Sequence, residues 1–274
     1  SNTSTDKSND AVKPLTDNHP FFSHFFKWSQ IDEILRTLGV TWQPFGGAGY
    51  LVILLIFIIA LILAMLLILL PVAFLRKKHT RLPGFYIPLF FSLIGLAFML
   101  VEIPLIQQFI LYLDQPAYAF AAVLFTILLF SGLGSRFGSR WLPLSRAIII
   151  LTGLLIFYLF ALSPILHTSL GYPLIARLVI TLLLIAPIGF LMGIPFPAGL
   201  IWMRTIANDE DNPGNKALIP WVWAVNGASS VVASILASLL TLSFGFIQTT
   251  AVGMCFYLLA GIIVHSKKYD TLSG

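Results

Sequence analysis

Seven stretches of this chain run for about 20 residues or more with almost no charge, at about 50–75, 84–113, 117–135, 145–165, 172–195, 218–242 and 245–265. About 20 apolar residues in a helix cross about 30 Å of hydrocarbon, so runs of this length read as membrane spans. The sequence therefore predicts an all-α fold, a polytopic membrane helix bundle of about seven transmembrane helices. A polar tail and an interfacial amphipathic helix are predicted to precede it. Composition agrees: 58% of the side chains are hydrophobic and 10% charged, with a mean hydropathy of +0.93, which excludes an ordinary soluble domain.

The basic residues lie in short clusters beside the apolar runs, a pattern of membrane topology rather than of nucleic-acid binding. Arg76, Lys77, Lys78, Arg81, Arg136, Arg140, Arg146, Arg204, Lys216, Lys267 and Lys268 fall after spans one, three, five and seven. Lys27, Arg36 and Arg177 fall on the opposite side. The positive-inside rule then makes the C-terminus cytoplasmic and, with seven spans, the N-terminus external, in a multi-pass protein of the cell inner membrane. Cys255 is the single cysteine, so an intrachain disulfide and a thiolate metal cluster are both excluded.

Residues 1–23 form a polar tail, the expected end of a missing upstream domain. Residues 24–48 hold Trp28, Ile31, Leu35 and Leu38 at helical spacing before Gly39, the pattern of an amphipathic helix lying on the membrane, followed by a loop. Packing of that helix on a soluble domain is the competing reading. The transmembrane domain is expected over 49–266 and a cytoplasmic tail over 267–274.

Glu102 is the only carboxylate well inside an apolar run. A charge at that depth costs about 2.5–3.5 kcal/mol on insertion scales and calls for a partner or a wet cavity. Pro104 removes a backbone donor nearby, and Gln107 and Gln108 add polar groups at a similar level. Counting along the helices brings Arg177 within reach in depth, so Glu102 is expected either to pair with Arg177 or to be a hydrogen-bonded acid near Gln107 and Asn226. Glu102, Gln107, Gln108, Arg177 and Asn226 together make the candidate intramembrane polar site; snorkelling of Arg177 to the headgroups is the alternative for that residue. Trp202, Trp221 and Trp223 are the expected interface anchors.

Small residues mark close helix packing. Gly227, Ser230, Ser234 and Ser238 share a face of span six, and Gly189 and Gly193 form a GxxxG pair in span five. The same span ends in Gly193-Ile194-Pro195-Phe196-Pro197, read as a helix end at the cytoplasmic interface rather than a break near the midplane. No catalytic residue is nominated, since nucleotide-binding glycine motifs, a GxSxG, an HExxH and a CxxC are all missing. The five histidines are scattered, the Asp209-Glu210-Asp211 loop reads as solvated, and no metal or cofactor is expected in this chain.

Six ordered blocks carry a resemblance. They are Pro14-Leu15-Thr16-Asp17-Asn18-His19-Pro20-Phe21-Phe22, Trp42-Gln43-Pro44-Phe45-Gly46-Gly47, Leu100 to Gln107, Leu129 to Ser135, Gly193 to Pro197 and Pro220 to Ala228. The first resembles the tail that ends the SAM-binding domain of bacterial membrane-bound spermidine-synthase-like (SAM-dependent methyltransferase-like) proteins, with Asn18 where the family more often has Asp. The others look like successive parts of that family's C-terminal membrane region. The resemblance implies an aminopropyltransferase- or methyltransferase-like domain elsewhere, because its nucleotide-binding and amine-binding motifs do not occur here. It implies a membrane domain that anchors a SAM-binding-type module, upstream or separate, and presents or passes a small or lipidic substrate. A free-standing small-molecule transporter working through Glu102 and Asn226 is the rival, and a structural assembly subunit, with a homo-oligomer among its forms, the third reading.

Overall fold

A computed structural model of the chain describes residues 48–77, 85–206 and 213–270. The predicted tail, the 24–38 helix, the first two sequence blocks, the 209–211 acidic loop and residues 271–274 lie outside the described residues. Apolar side chains along whole turns, with no competing polar run, give helix throughout. In order these are α1 (Ala48–Lys77), α2 (Tyr86–Leu113), α3 (Pro116–Leu133), a π-helical turn at Gly134–Gly138, α4 (Ser139–Trp141), α5 (Leu144–Ser169), α6 (Leu174–Met192), α7 (Pro195–Ile206), α8 (Pro213–Phe244) and α9 (Phe246–Asp270).

Six of the described segments are long and apolar enough to cross a membrane: Tyr86–Leu113, Pro116–Gly138, Leu144–Ser169, Leu174–Thr205, Leu218–Phe244 and Phe246–Ser266. To these α1 adds a 30-residue helix, about 45 Å long at 1.5 Å per residue. Its described apolar stretch is Val52–Leu66. The architecture is thus a polytopic membrane helix bundle, as the apolar runs foretell.

Turn chemistry explains how consecutive helices reverse. Asp114 takes the left-handed conformation (φ 56°) and closes α2, its N–H donating to the Ile110 carbonyl at 3.0 Å. Gln115 is extended and Pro116 opens α3, where a missing N–H costs nothing. Gly245 turns α8 into α9 with φ 97°, a conformation that side chains resist. Pro143 and Pro173 stand immediately before α5 and α6.

Helix α2 is the axis of the bundle, with α8, α9, α3, α6 and α7 all packed on it. Its core includes Phe90, Phe91, Ala97, Leu100, Val101 and Phe109. In contrast, α1 packs mainly on α8, where Ala64 meets Ala228 and Val232 beside Phe57, and leaves Leu55, Ile62 and Leu63 exposed, an apolar face suited to lipid.

Glycine sets the tightest crossings. A Cβ on Gly134 would run into the Phe190 carbonyl, and one on Gly193 into the Ser131 carbonyl, so α3 and its π-helical extension lie backbone to backbone on the end of α6. Gly189 meets Ile127 in the same crossing, which is what the GxxxG pair does. On the other side of α2, Gly95 faces Asn226 and Ser230 of α8, and Gly253 of α9 faces Ala97, Leu100 and Val101. Gly227 differs from the sequence reading: it is exposed, with nothing within 4 Å of its missing side chain, so the α8 contact runs through Asn226 and Ser230 instead. The GIPFP break is a helix end followed at once by α7, since Gly193 terminates α6 and Pro195 starts the next helix.

In a medium without water, small polar side chains return to their own helix. Thr126, Thr152, Thr181, Thr241 and Thr249 each donate to the carbonyl four residues back, at 2.6–2.9 Å. Glu102 has no such local solution.

Candidate functional site

Glu102 sits on the most enclosed helix and is 5% exposed. Among the described residues it is the only buried side chain bearing a carboxylate or a basic group. Its position follows from the local sequence: α2 runs unbroken through Pro104, and Glu102 falls two residues earlier, beside Leu100 and Val101, which are fully buried. Gly253 brings α9 against Ala97 and Val101, and one turn further along the same face of α9 stands Tyr257, 1% exposed. No hydrogen bond or ion pair joins Glu102 to another described residue.

The expected partner is engaged elsewhere. Arg177 Nη1 donates to the Tyr112 carbonyl at 2.8 Å, and its guanidinium carbon lies 5.9 Å from the centre of the Tyr112 ring. Tyr112 is ten residues beyond Glu102, about 15 Å along α2, so the pairing of Glu102 with Arg177 is not made. The physical reason is the reach of arginine: from α6 its stem extends toward the helix ends, the snorkelling alternative, and finds a carbonyl there. The Tyr112 hydroxyl and Ser169 Oγ are 2.8 Å apart, so the ends of α2, α5 and α6 are tied by one polar knot. Arg177 Nε is buried without a hydrogen-bond partner.

Gln107 and Gln108 separate around the helix. Gln107 is half-buried and its Oε1 has no hydrogen-bond partner. Gln108 faces a cleft between α2, α5, α6 and α9 with a cavity volume of about 30 Å³. Around it lie Leu105, Tyr158, Ser163, Ile188 and Thr250, with Phe246 and Ile247 at the start of α9. The Tyr158 hydroxyl donates to the Leu184 carbonyl at 2.7 Å, in the turn that Pro187 weakens.

Asn226 is not part of this group. Its carbonyl accepts from Ser230 Oγ at 2.9 Å, and its side-chain oxygen faces Gly95, seven residues and about 10 Å along α2 from Glu102. It belongs to the α2–α8 crossing. Of the three tryptophans, Trp223 is 57% exposed and packs on Phe196 with ring centres 4.4 Å apart. Trp202 is half-buried against Phe90 and Tyr86, at 5.4 and 6.0 Å. Trp221 is 6% exposed and lies in the core.

Tyr257, Tyr158, Ser163 and Thr250 escaped the sequence reading. A hydroxyl in mid-span was the available signal, since a buried Tyr or Thr needs a polar partner as much as an amide does. One pair of the resemblance-bearing blocks meets in space, where Ser131 lies on Gly193. Among the described residues no group of three His, Cys, Asp or Glu is arranged to hold a metal ion. No family model, curated protein or solved structure matches the chain.

Proposed function

We propose that this chain is the membrane domain of a spermidine-synthase-like protein, a rigid multi-pass anchor in the bacterial inner membrane that holds a SAM-binding-type module at the bilayer. The observation that supports a rigid anchor is the set of close crossings, backbone to backbone at Gly134, Gly193 and Gly95 and against the Leu100 and Val101 side chains at Gly253, which lock α3 to α6 and lock α8 and α9 to α2. A transporter that alternates its access must slide or rock such interfaces, and contacts this close resist sliding because carbonyl groups stand in the way. The six-block resemblance supplies the identity of the module. The exposed Arg136, Arg140, Arg146 and Arg204 suit the cytoplasmic end, which makes the Tyr112–Ser169–Arg177 end the external one.

The reading is tested by fractionation. A SAM-binding protein encoded upstream of or beside this chain should sediment with membranes when the chain is present and become soluble when it is deleted. Recovery in the same fraction in both cases overturns the anchor. Purified chain in proteoliposomes should show no counterflow of labelled spermidine or putrescine above protein-free vesicles, and saturable counterflow would establish the transporter instead.

A further inference from the structure

We propose that the cleft between α2, α5, α6 and α9 is a water-binding vestibule that lets Glu102 exchange protons with the Tyr112–Ser169 end of the bundle. This goes beyond the anchoring role and does not depend on it.

The cleft has the two properties that distinguish a wet cavity from a dry one. Its volume of about 30 Å³ exceeds the roughly 10–15 Å³ that one water needs. Four of its lining residues, Gln108, Ser163, Thr250 and Tyr158, carry polar side chains, and although the Tyr158 hydroxyl already donates to Leu184 it keeps its acceptor capacity, so a water there has two to four candidate partners. The mouth lies at the α8–α9 turn, where Phe246 and Ile247 begin α9 and Ile247 is exposed. Depth runs inward from there on both helices. Gln108 and Leu105 step down α2 toward Glu102, which stands one turn beyond Leu105, the innermost lining residue on that helix; Thr250 and Tyr257 lie seven residues apart on one face of α9, with Gly253 between them. The inner end of the cleft is therefore one helical turn from Glu102.

The surroundings leave Glu102 with few other ionic neighbours. On α9 the titratable group on the face that Gly253 packs on α2 is Tyr257, one turn further along. Helix α8 carries no ionisable side chain from Trp221 to Phe244. Arg177 of α6 is held at Tyr112, Arg204 of α7 is exposed, and Tyr118 of α3 is exposed. A carboxyl placed this way in a bilayer needs water or a proton, and the vestibule brings both.

Two measurements on the full chain in nanodiscs test the proposal. Radiolytic hydroxyl-radical footprinting should oxidise Leu105, which borders the vestibule and is 4% exposed, well above Ile106, which is 8% exposed but outside it. In infrared spectra, the carboxyl band removed by Glu102→Gln should shift when water is replaced by deuterium oxide. Filling the vestibule with Thr250→Leu should slow that shift by an order of magnitude or more, while Ser243→Leu, outside the lining, should leave the rate unchanged. Retention on size exclusion checks that each variant is folded, and Gln108→Leu serves as a second filling variant if Thr250→Leu fails it. Oxidation of Leu105 no greater than of Ile106, absence of a Glu102 carboxyl band, or equal exchange rates with the vestibule filled would each overturn the proposal.

Discussion

Replacing Gly193 with alanine should do more damage than any other single-methyl addition to α6. The new Cβ would overlap the Ser131 carbonyl oxygen and stand 2.6 and 2.7 Å from Ser131 Cα and C, all backbone atoms that cannot swing aside. Relief requires α3 and α6 to part by about 1 Å, a gap that forfeits a quarter to a half of each dispersion contact along the crossing. In a bilayer, close packing carries most of helix association, so the loss is felt directly. Overpacking of this kind costs about 1–3 kcal/mol. Gly134→Ala meets the Phe190 carbonyl in the same crossing and should cost as much; the double variant should lose less than the sum, because one separation relieves both clashes. Gly189→Ala, with Ile127 Cα at 3.1 Å, should be milder. Gly132 and Gly153 have nothing within 4 Å, so alanine there should be neutral or stabilising by up to about 1 kcal/mol through helix propensity. Unfolding free energies by steric trapping in bicelles measure the series. Stability of Gly193→Ala equal to that of Gly132→Ala would refute the backbone-contact argument.

Three further outcomes follow from the geometry. Glu102→Gln and Arg177→Gln should change thermal stability additively, within about 0.5 kcal/mol, because the two side chains share no partner; a coupling above about 1 kcal/mol would restore the ion pair. Tyr112→Phe removes the 2.8 Å contact with Ser169 and should cost about 0.6 kcal/mol, the usual value of an interhelical hydrogen bond in a membrane, since Ser169 keeps its own-helix bonds to Ile165 and Leu166. Gly245→Ala, forced to φ 97°, should cost about 1–2 kcal/mol, and an unchanged melting temperature would mean that the α8–α9 turn relaxes.

The helices were legible because their signal is one-dimensional: about 20 apolar residues, bounded by Asp114-Gln115-Pro116 or by Gly245, announce a span and its turn without knowledge of neighbours. Which faces meet is a different kind of information. Gly189 and Gly193 say that some backbone comes close, yet nothing in their spacing names Ser131 and Gly134 as the other side. The small face of α8 was read as one stripe, but helix α8 uses Ser230 and Asn226 and leaves Gly227 outside, because rotation about the helix axis is fixed by the partner. Depth counted along the chain likewise put Glu102 and Arg177 within reach and left snorkelling as the alternative, without the means to choose; in the fold the arginine spends its length toward the helix end, at Tyr112. Trp221 shows the same limit. Its place near the start of a span suits a lipid-facing belt, whereas the rotation of α8 within the bundle turns it into the core.

The most direct test of the account is sidedness, since everything above depends on α2, α3, α5 and α6 crossing the bilayer in alternation. Single cysteines at Gln115, Gly171 and Arg140, in a Cys255→Ala background, can be challenged with an impermeant maleimide on intact and permeabilised cells. The account predicts that Gln115→Cys and Gly171→Cys react on intact cells and that Arg140→Cys reacts only after permeabilisation. Labelling of Arg140→Cys together with either of the others on intact cells would contradict it.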